Sequence, residues 1–340
     1  MWKRLEIDCF SNCYSVEEIN CIDQPIAGAA SYFNHENFYY YCFYYSLLSN
    51  WLIEFDFLTL RNLIFKKLGL ELKVHQIEES SNFIPFVKSL LDKKKPVLMV
   101  PKRRTLVYDF LFGDQNIKSL HGFLVMEYNT KNPVLVIRDV AHVESSNAPY
   151  GGTGYGLFKL CLKEDLVLDI WNKSNEIYKN YKEKNNDFYK KIFSIEKTGK
   201  SHINNYIDLV EDFINNYDLS YSRLSHIISS SGTLNQKIKD TNYYQYIRRR
   251  FYKSLSVIFD IFIKYFNLLK LNNQKITKFI KFKEQYFKNR DLILSKLYVS
   301  ALRGSVISRS DKTQMIQETQ LMDQKLYSLI NEIYKENHKQ

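Results

Sequence analysis

In the first half of the chain the hydrophobic positions change period repeatedly. Phe57 to Lys67 carries apolar residues at helical spacing, Leu70 to Val74 alternates as a strand does, and Phe83 to Leu91 returns to the helical period. A short strand is predicted over Pro96 to Val100. Two further strand-like runs, Gly122 to Tyr128 and Pro133 to Arg138, flank the turn-forming sequence Asn129-Thr130-Lys131-Asn132 and read as a β-hairpin. Helices followed by a cluster of strands, with no regular βαβ alternation, predict an α+β domain and not a doubly wound sheet.

The second half reads differently. Leu160 to Ile195, Asn204 to Tyr217, Tyr243 to Leu271, Ile276 to Leu302 and Thr313 to Tyr334 carry helix-spaced apolar residues with almost no Pro or Gly, which predicts an all-helical domain. Between the halves lies Asn147-Ala-Pro-Tyr-Gly-Gly-Thr-Gly-Tyr-Gly156, holding four of the chain's eleven glycines. It reads as a linker between a domain at 1–150 and a second at 156–340. The segment lacks the Lys-Ser/Thr ending of a phosphate loop and the GxGxxG spacing, so no nucleotide cradle is expected. With 340 residues, 45% of them hydrophobic, the chain can fill two cores.

No membrane span is expected, because the most apolar stretch, Leu255 to Leu271, is interrupted by Asp260, Lys264 and Lys270. Nor does an apolar run or a small-residue cleavage site follow the basic residues near Met1, so a cytoplasmic protein is expected. Five cysteines, an odd number, in such a setting argue against a disulfide framework, and none lies at zinc-site spacing. No metal or bound cofactor is expected.

The net charge of +11 is unevenly placed. Residues 1–155 hold 16 Lys and Arg against 17 Asp and Glu, whereas 156–340 hold 32 against 20. A positive excess confined to one half points to an acidic partner or a nucleic-acid face.

Candidate chemistry lies in the neutral half. Cys9 stands in Ile7-Asp8-Cys9-Phe10-Ser11-Asn12-Cys13, where Ser11 and Asn12 are good N-cap residues, and a thiol just before a helix is favoured as a thiolate. A buried, inert cysteine is the competing reading. His121 precedes the first hairpin strand and Asp139 follows the second, so pairing of the strands brings them side by side. In that arrangement the carboxylate orients the imidazole, which takes the thiol proton; a strand-end His beside a capping Asp is the structural alternative.

The order Cys9, then Lys95-Pro96-Val97-Leu98-Met99-Val100, then His121-Gly122-Phe123-Leu124-Val125, then Ile137-Arg138-Asp139 resembles the papain-like family named after the N-terminal domain of butirosin biosynthesis protein H. The resemblance runs from about Asp8 to Val143. It implies a papain-like fold and an acyltransferase of natural-product assembly lines. In that family a Cys-His-Asp site takes an acyl group from the phosphopantetheine thioester of a carrier protein and passes it to an amine; on this chain an amine or hydroxyl acceptor is expected. Carried onto this chain, the nucleophile is Cys9, the base His121 and the orienting acid Asp139. Papain-type proteases keep a Gln about six residues before the nucleophile, where this chain has Lys3. The candidate oxyanion donors are therefore the backbone N–H groups of Cys9 and Phe10, with Asn12, and Cys13 is a rival nucleophile.

An acyl or peptidyl carrier protein, being acidic, suits the basic half, with Arg248-Arg249-Arg250 and Lys102-Arg103-Arg104 as candidate contacts for its phosphopantetheine phosphate. A solvated charge run is the plainer reading of both. Water as acceptor makes the same site a peptidase or thioesterase. Two non-enzymatic readings remain, a catalytically inactive scaffold and a nucleic-acid binder using the Tyr-rich and Arg-rich stretch Tyr243 to Tyr252, although no helix-turn-helix, finger or RNP-like motif is present.

Overall fold

The computed structural model describes residues 1–7, 14–15, 18–51, 56–109, 112–117, 119–141, 156–180, 187–217, 219, 222–229 and 248–338. The chain forms two compact units. The first comprises Met1–Cys42 and Phe57–Ser201, the second Phe43–Asp56 and His202–Gln340.

The first unit is α+β. Its strands are β1 (Trp2–Arg4), β2 (Leu70–Gln76), β3 (Val97–Met99), β4 (Phe123–Asn129), β5 (Val134–Ala141), β6 (Gly156–Lys163) and β7 (Lys191–Lys197). They form one antiparallel sheet in the order β2-β7-β3-β4-β5-β6, with β1 paired to the end of β4 that β3 leaves open. The helices of this unit are α1 (Asp23–Ser31), the start of α2 (Asn37–Trp51), α3 (Phe57–Lys67), α4 (Phe83–Asp92) and α5 (Glu164–Asn180). Gly28 of α1 faces Leu124, whereas Lys88 of α4 lies over the Tyr128 ring. Leu124 and Tyr128 pair with Arg138 and Leu135, three residues apart on β5, so they point to opposite faces of the sheet. Covered on both sides, β4 is buried from Phe123 to Tyr128, which explains why it reads as a continuous apolar run without alternation.

The predicted hairpin is present as β4 and β5, and the predicted helix Phe57 to Lys67 has those bounds. The region expected to be helical from Leu160 to Ile195 is instead strand, helix and strand. β6 pairs with β5 over eight residues, and β7 fills the gap between β2 and β3. The boundary expected at 150/156 therefore lies at Ser201, because the sheet is completed only by β7. The expected linker lies outside the described residues except for Gly156, the first residue of β6.

The second unit is helical among its described residues, with the rest of α2 joined by α6 (Tyr206–Asn216), α7 (Arg223–Ser229), a π-helical turn (Arg249–Lys253), α8 (Leu255–Leu268), α9 (Asn273–Arg303) and α10 (Arg309–His338). Asn272 caps α9 by accepting from Lys275 N–H, and Gly304 ends it at φ 65°. Its core is aromatic, with Phe43, Phe213 and Phe262 in mutual contact and Phe259 packed on Phe279 and Tyr286. Among the described residues no helix is long and apolar enough to cross a membrane.

Candidate active site

The hairpin register carries His121 to Asp139. Phe123 pairs with Asp139, so His121, two residues earlier on the same side of the strand, is the diagonal neighbour of the carboxylate. Backbone bonds fix it there, since His121 N–H donates to Pro101 O (3.0 Å) and Lys102 bridges to Leu120. Both side chains are fully buried, and Asp139 Oδ1 hydrogen-bonds His121 Nε2.

The opposite ring nitrogen, Nδ1, is buried and makes no hydrogen bond of ordinary geometry among the described residues. Among the described residues, the Cys21 thiol also acts on the ring. Burial alone lowers the imidazole pKa, but the charge and hydrogen bond of Asp139, helped by Cys21, outweigh it and push His121 up to about 10. The ring is thus a cation at neutral pH.

Cys21 sits where a helix begins. The helical bonding of α1 starts from the Asn20 carbonyl, which accepts from Gln24 N–H (3.1 Å), while Asn20 Oδ1 accepts from Ile22 N–H (2.8 Å) and Asp23 N–H (3.0 Å). Asn20 is held in turn by Asp23 Oδ2 (2.8 Å), and that buried carboxylate accepts from Tyr41 (2.5 Å) and Arg61 (2.6 Å). The helix amino end, with its partial positive charge, is therefore fixed beside the sulfur. Cys21 is half-buried, whereas Cys42 is buried and Cys161 exposed.

Gly122 permits the approach of the two segments. A Cβ there would stand 2.9 Å from Ile22 Cα and 3.4 Å from the Cys21 carbonyl oxygen. Gly122→Ala must push the start of α1 off the strand, and such overpacking costs about 1–3 kcal/mol. A displacement near 1 Å between reacting groups costs about 10²-fold in rate, so this variant should stay folded in a thermal melt yet lose thiol-dependent turnover by roughly that factor.

The raised pKa of His121 also sets a stability window. An imidazole at 6.5 when unfolded and about 10 when folded stabilises the native state fully below pH 6.5, and that contribution is lost as pH rises through about 10. Urea midpoints measured between neutrality and pH 10 should fall more steeply for the wild type than for His121→Gln.

Of the residues singled out from sequence, His121 and Asp139 are brought together, whereas Cys9, Asn12 and Cys13 lie outside the described residues. The Lys102-Arg103-Arg104 cluster serves local structure. Lys102 is buried with Nζ 5.0 Å from the Tyr178 ring centre, Arg103 Nε bonds Asp109 (2.8 Å), and Arg104 donates to Gln115 O (2.9 Å). Arg248 lies 3.7 Å from Asp291, and Arg249 and Arg250 begin the π-helical turn. Sequence reading missed Cys21 and Asn20. Their signal was the N-cap pattern Asn20-Cys-Ile-Asp23 followed by Pro25. Among the described residues no group of three or more His, Cys, Asp and Glu side chains is placed to hold a metal ion.

Compared with known protein families and with curated proteins, the chain matches no family model and no curated relative.

Proposed function

We propose that Cys21, His121 and Asp139 form the site of a cysteine acyltransferase that moves an acyl or aminoacyl group from a carrier-protein thioester to an amine or hydroxyl acceptor. The observation that carries this reading is the buried imidazole that is hydrogen-bonded to Asp139 through Nε2 and on which the Cys21 thiol also acts. Cys21 takes the nucleophile's place, which the sequence resemblance gives to Cys9.

In the proposed reaction the Cys21 sulfur, as thiolate, attacks the thioester carbonyl, and the His121 cation gives its proton to the departing phosphopantetheine sulfur, leaving an acyl-enzyme and a neutral imidazole. His121 then removes a proton from the incoming amine or hydroxyl as that group attacks, and Cys21 departs. Asp139 keeps the imidazole oriented and stabilises its cation throughout. The partial positive charge at the start of α1 favours the negative charge that develops beside Cys21.

An acidic carrier as donor is supported by one face of α9, on which Lys281, Lys288, Lys296 and Arg303 recur at helical spacing around the exposed Leu292 and Val299. The same pattern argues against single-stranded nucleic acid, which binds through stacked aromatic side chains that this stripe lacks.

The test is intact-mass spectrometry after incubation with acyl-loaded carrier proteins, using Cys21→Ala, Cys9→Ala and Cys13→Ala. An acyl adduct lost only in Cys21→Ala supports the reading. Loss only in Cys9→Ala or Cys13→Ala keeps acyl transfer and moves the nucleophile, and no adduct with any loaded carrier rejects the carrier donor.

A further inference from the structure

We propose that Tyr108 is a positioning residue for this site, holding the Asp139 carboxylate by its second oxygen while the first orients His121. The inference rests on the reading of Cys21, His121 and Asp139 as a catalytic unit. Asp139 Oδ2 accepts a 2.7 Å hydrogen bond from the Tyr108 hydroxyl, and Oδ1 is engaged by His121 Nε2. With both oxygens held from different sides, the carboxylate has one orientation available, and so has the imidazole bonded to it.

Tyr108 reaches Asp139 from a loop whose described residues are joined by several bonds of their own. The loop joins β3 to His121 and is closed at its base by the Lys102–Leu120 bridge and by Arg103 N–H donating to Ser119 O (3.0 Å). Within it, Asp109 N–H donates to Leu106 O (2.9 Å), making a tight turn around Val107 and Tyr108. Arg103 Nε spans that turn to Asp109 Oδ2 (2.8 Å), and both of those side chains are largely buried. Gly113 N–H returns to Arg104 O (2.9 Å). Arg103 of the basic cluster therefore braces the turn that presents Tyr108.

The alternative is that Tyr108 only fills space, and three features speak against it. Its hydroxyl is aimed at a fully buried carboxylate. Burial, and after it the Asp139 charge, hold the phenol well above its ordinary pKa of 10, so it remains a donor. Losing that donor leaves Oδ2 unsatisfied in the interior, which costs more than a lost packing contact.

The experiment uses the full chain with Tyr108→Phe, Asp139→Asn and the double variant, each checked for folding by thermal melt. The primary readout is the far-downfield NMR signal of the proton between His121 and Asp139, which requires no substrate. The second is turnover with an acyl-loaded carrier protein. Tyr108→Phe should move or broaden the proton signal and lower kcat about tenfold with KM unchanged, since the tyrosine touches no substrate. In the Asp139→Asn background the same change should have no further effect on kcat. A proton signal unmoved by Tyr108→Phe overturns the proposal, whatever the turnover, and so does an equal loss of kcat in both backgrounds. If no carrier acylates Cys21 the proposed function fails, and the proton signal still decides the role of Tyr108.

Discussion

Replacing Cys21 with alanine is expected to lower acyl transfer by about 10³-fold or more, and adding His121→Ala to that variant should lower it hardly at all beyond that. Groups that act as one unit fail together, because an imidazole with no thiol to serve has nothing left to contribute. His121 is suited to such a unit, being fully buried, bonded to Asp139 and otherwise acted on by Cys21. Independent contributions would multiply instead. A double variant another 10²- to 10³-fold below either single one would mean that the two residues work in separate steps, and the site described above would be wrong. Single-turnover rates of acyl-adduct formation and of transfer, measured for both single variants and the double one, decide between these outcomes. Cys42→Ala serves as a control for the loss of a buried thiol outside the site.

The parts of the fold that were legible in the sequence are those with a local period. The hairpin strands and the helix Phe57–Lys67 announce themselves because each has its own repeat and a turn or cap at its ends. α2 does not. Its sequence NFYYYCFYYSLLSNW is apolar or aromatic all round and most of it is buried, so it has no polar face from which a period can be read. α1 is equally silent, since Ala27, Gly28, Ala29 and Ala30 are all fit for close packing and give no contrast between faces. β6 and β7 were misread for another reason. β7 pairs with β2, whose residues lie about 120 positions earlier, and no local pattern reports such a partner.

The same distinction governs the site. His121 and Asp139 follow from the hairpin, whose register is a short-range property of the turn and the strand pattern. The nucleophile depends on knowing which helix begins where. A thiol at a helix amino end is the right criterion, and Ser11-Asn12 satisfies it beside Cys9 as well as Asn20 does beside Cys21. Cys21 is the one that the described residues place, through a glycine that lets strand and helix approach to backbone contact, and Cys9 lies outside them. The Tyr108 contact with Asp139 carries no sequence signal at all, because it comes from a loop closure that joins Lys102 to Leu120.

In the second unit the largest expected effect comes from a buried charge. Asp323→Ala should destabilise that unit by about 3–5 kcal/mol, a large share of the roughly 5–15 kcal/mol that holds a domain folded. Asp323 is fully buried and accepts from Arg290 Nη2 (2.5 Å), from the Tyr286 hydroxyl and from Trp51 Nε1 (3.3 Å). It is the carboxylate on which three helices converge, since Trp51 belongs to α2, Tyr286 and Arg290 to α9, and Asp323 to α10. Arg290 is almost as deeply buried, and its Nε and Nη1 have no hydrogen-bond partner among the described residues. Removing the carboxylate strands a guanidinium that depends on it for most of its compensation. Replacing both partners, as in Arg290→Met with Asp323→Leu, removes the buried charges altogether and should recover most of the loss, because two well-packed apolar side chains need no compensation. Chemical denaturation of the wild type, Asp323→Ala and the double variant reads the difference. A double variant as unstable as Asp323→Ala would show that the pair is needed for its directional bonds to Tyr286 and Trp51. Recovery would show that its cost on removal is the stranded charge.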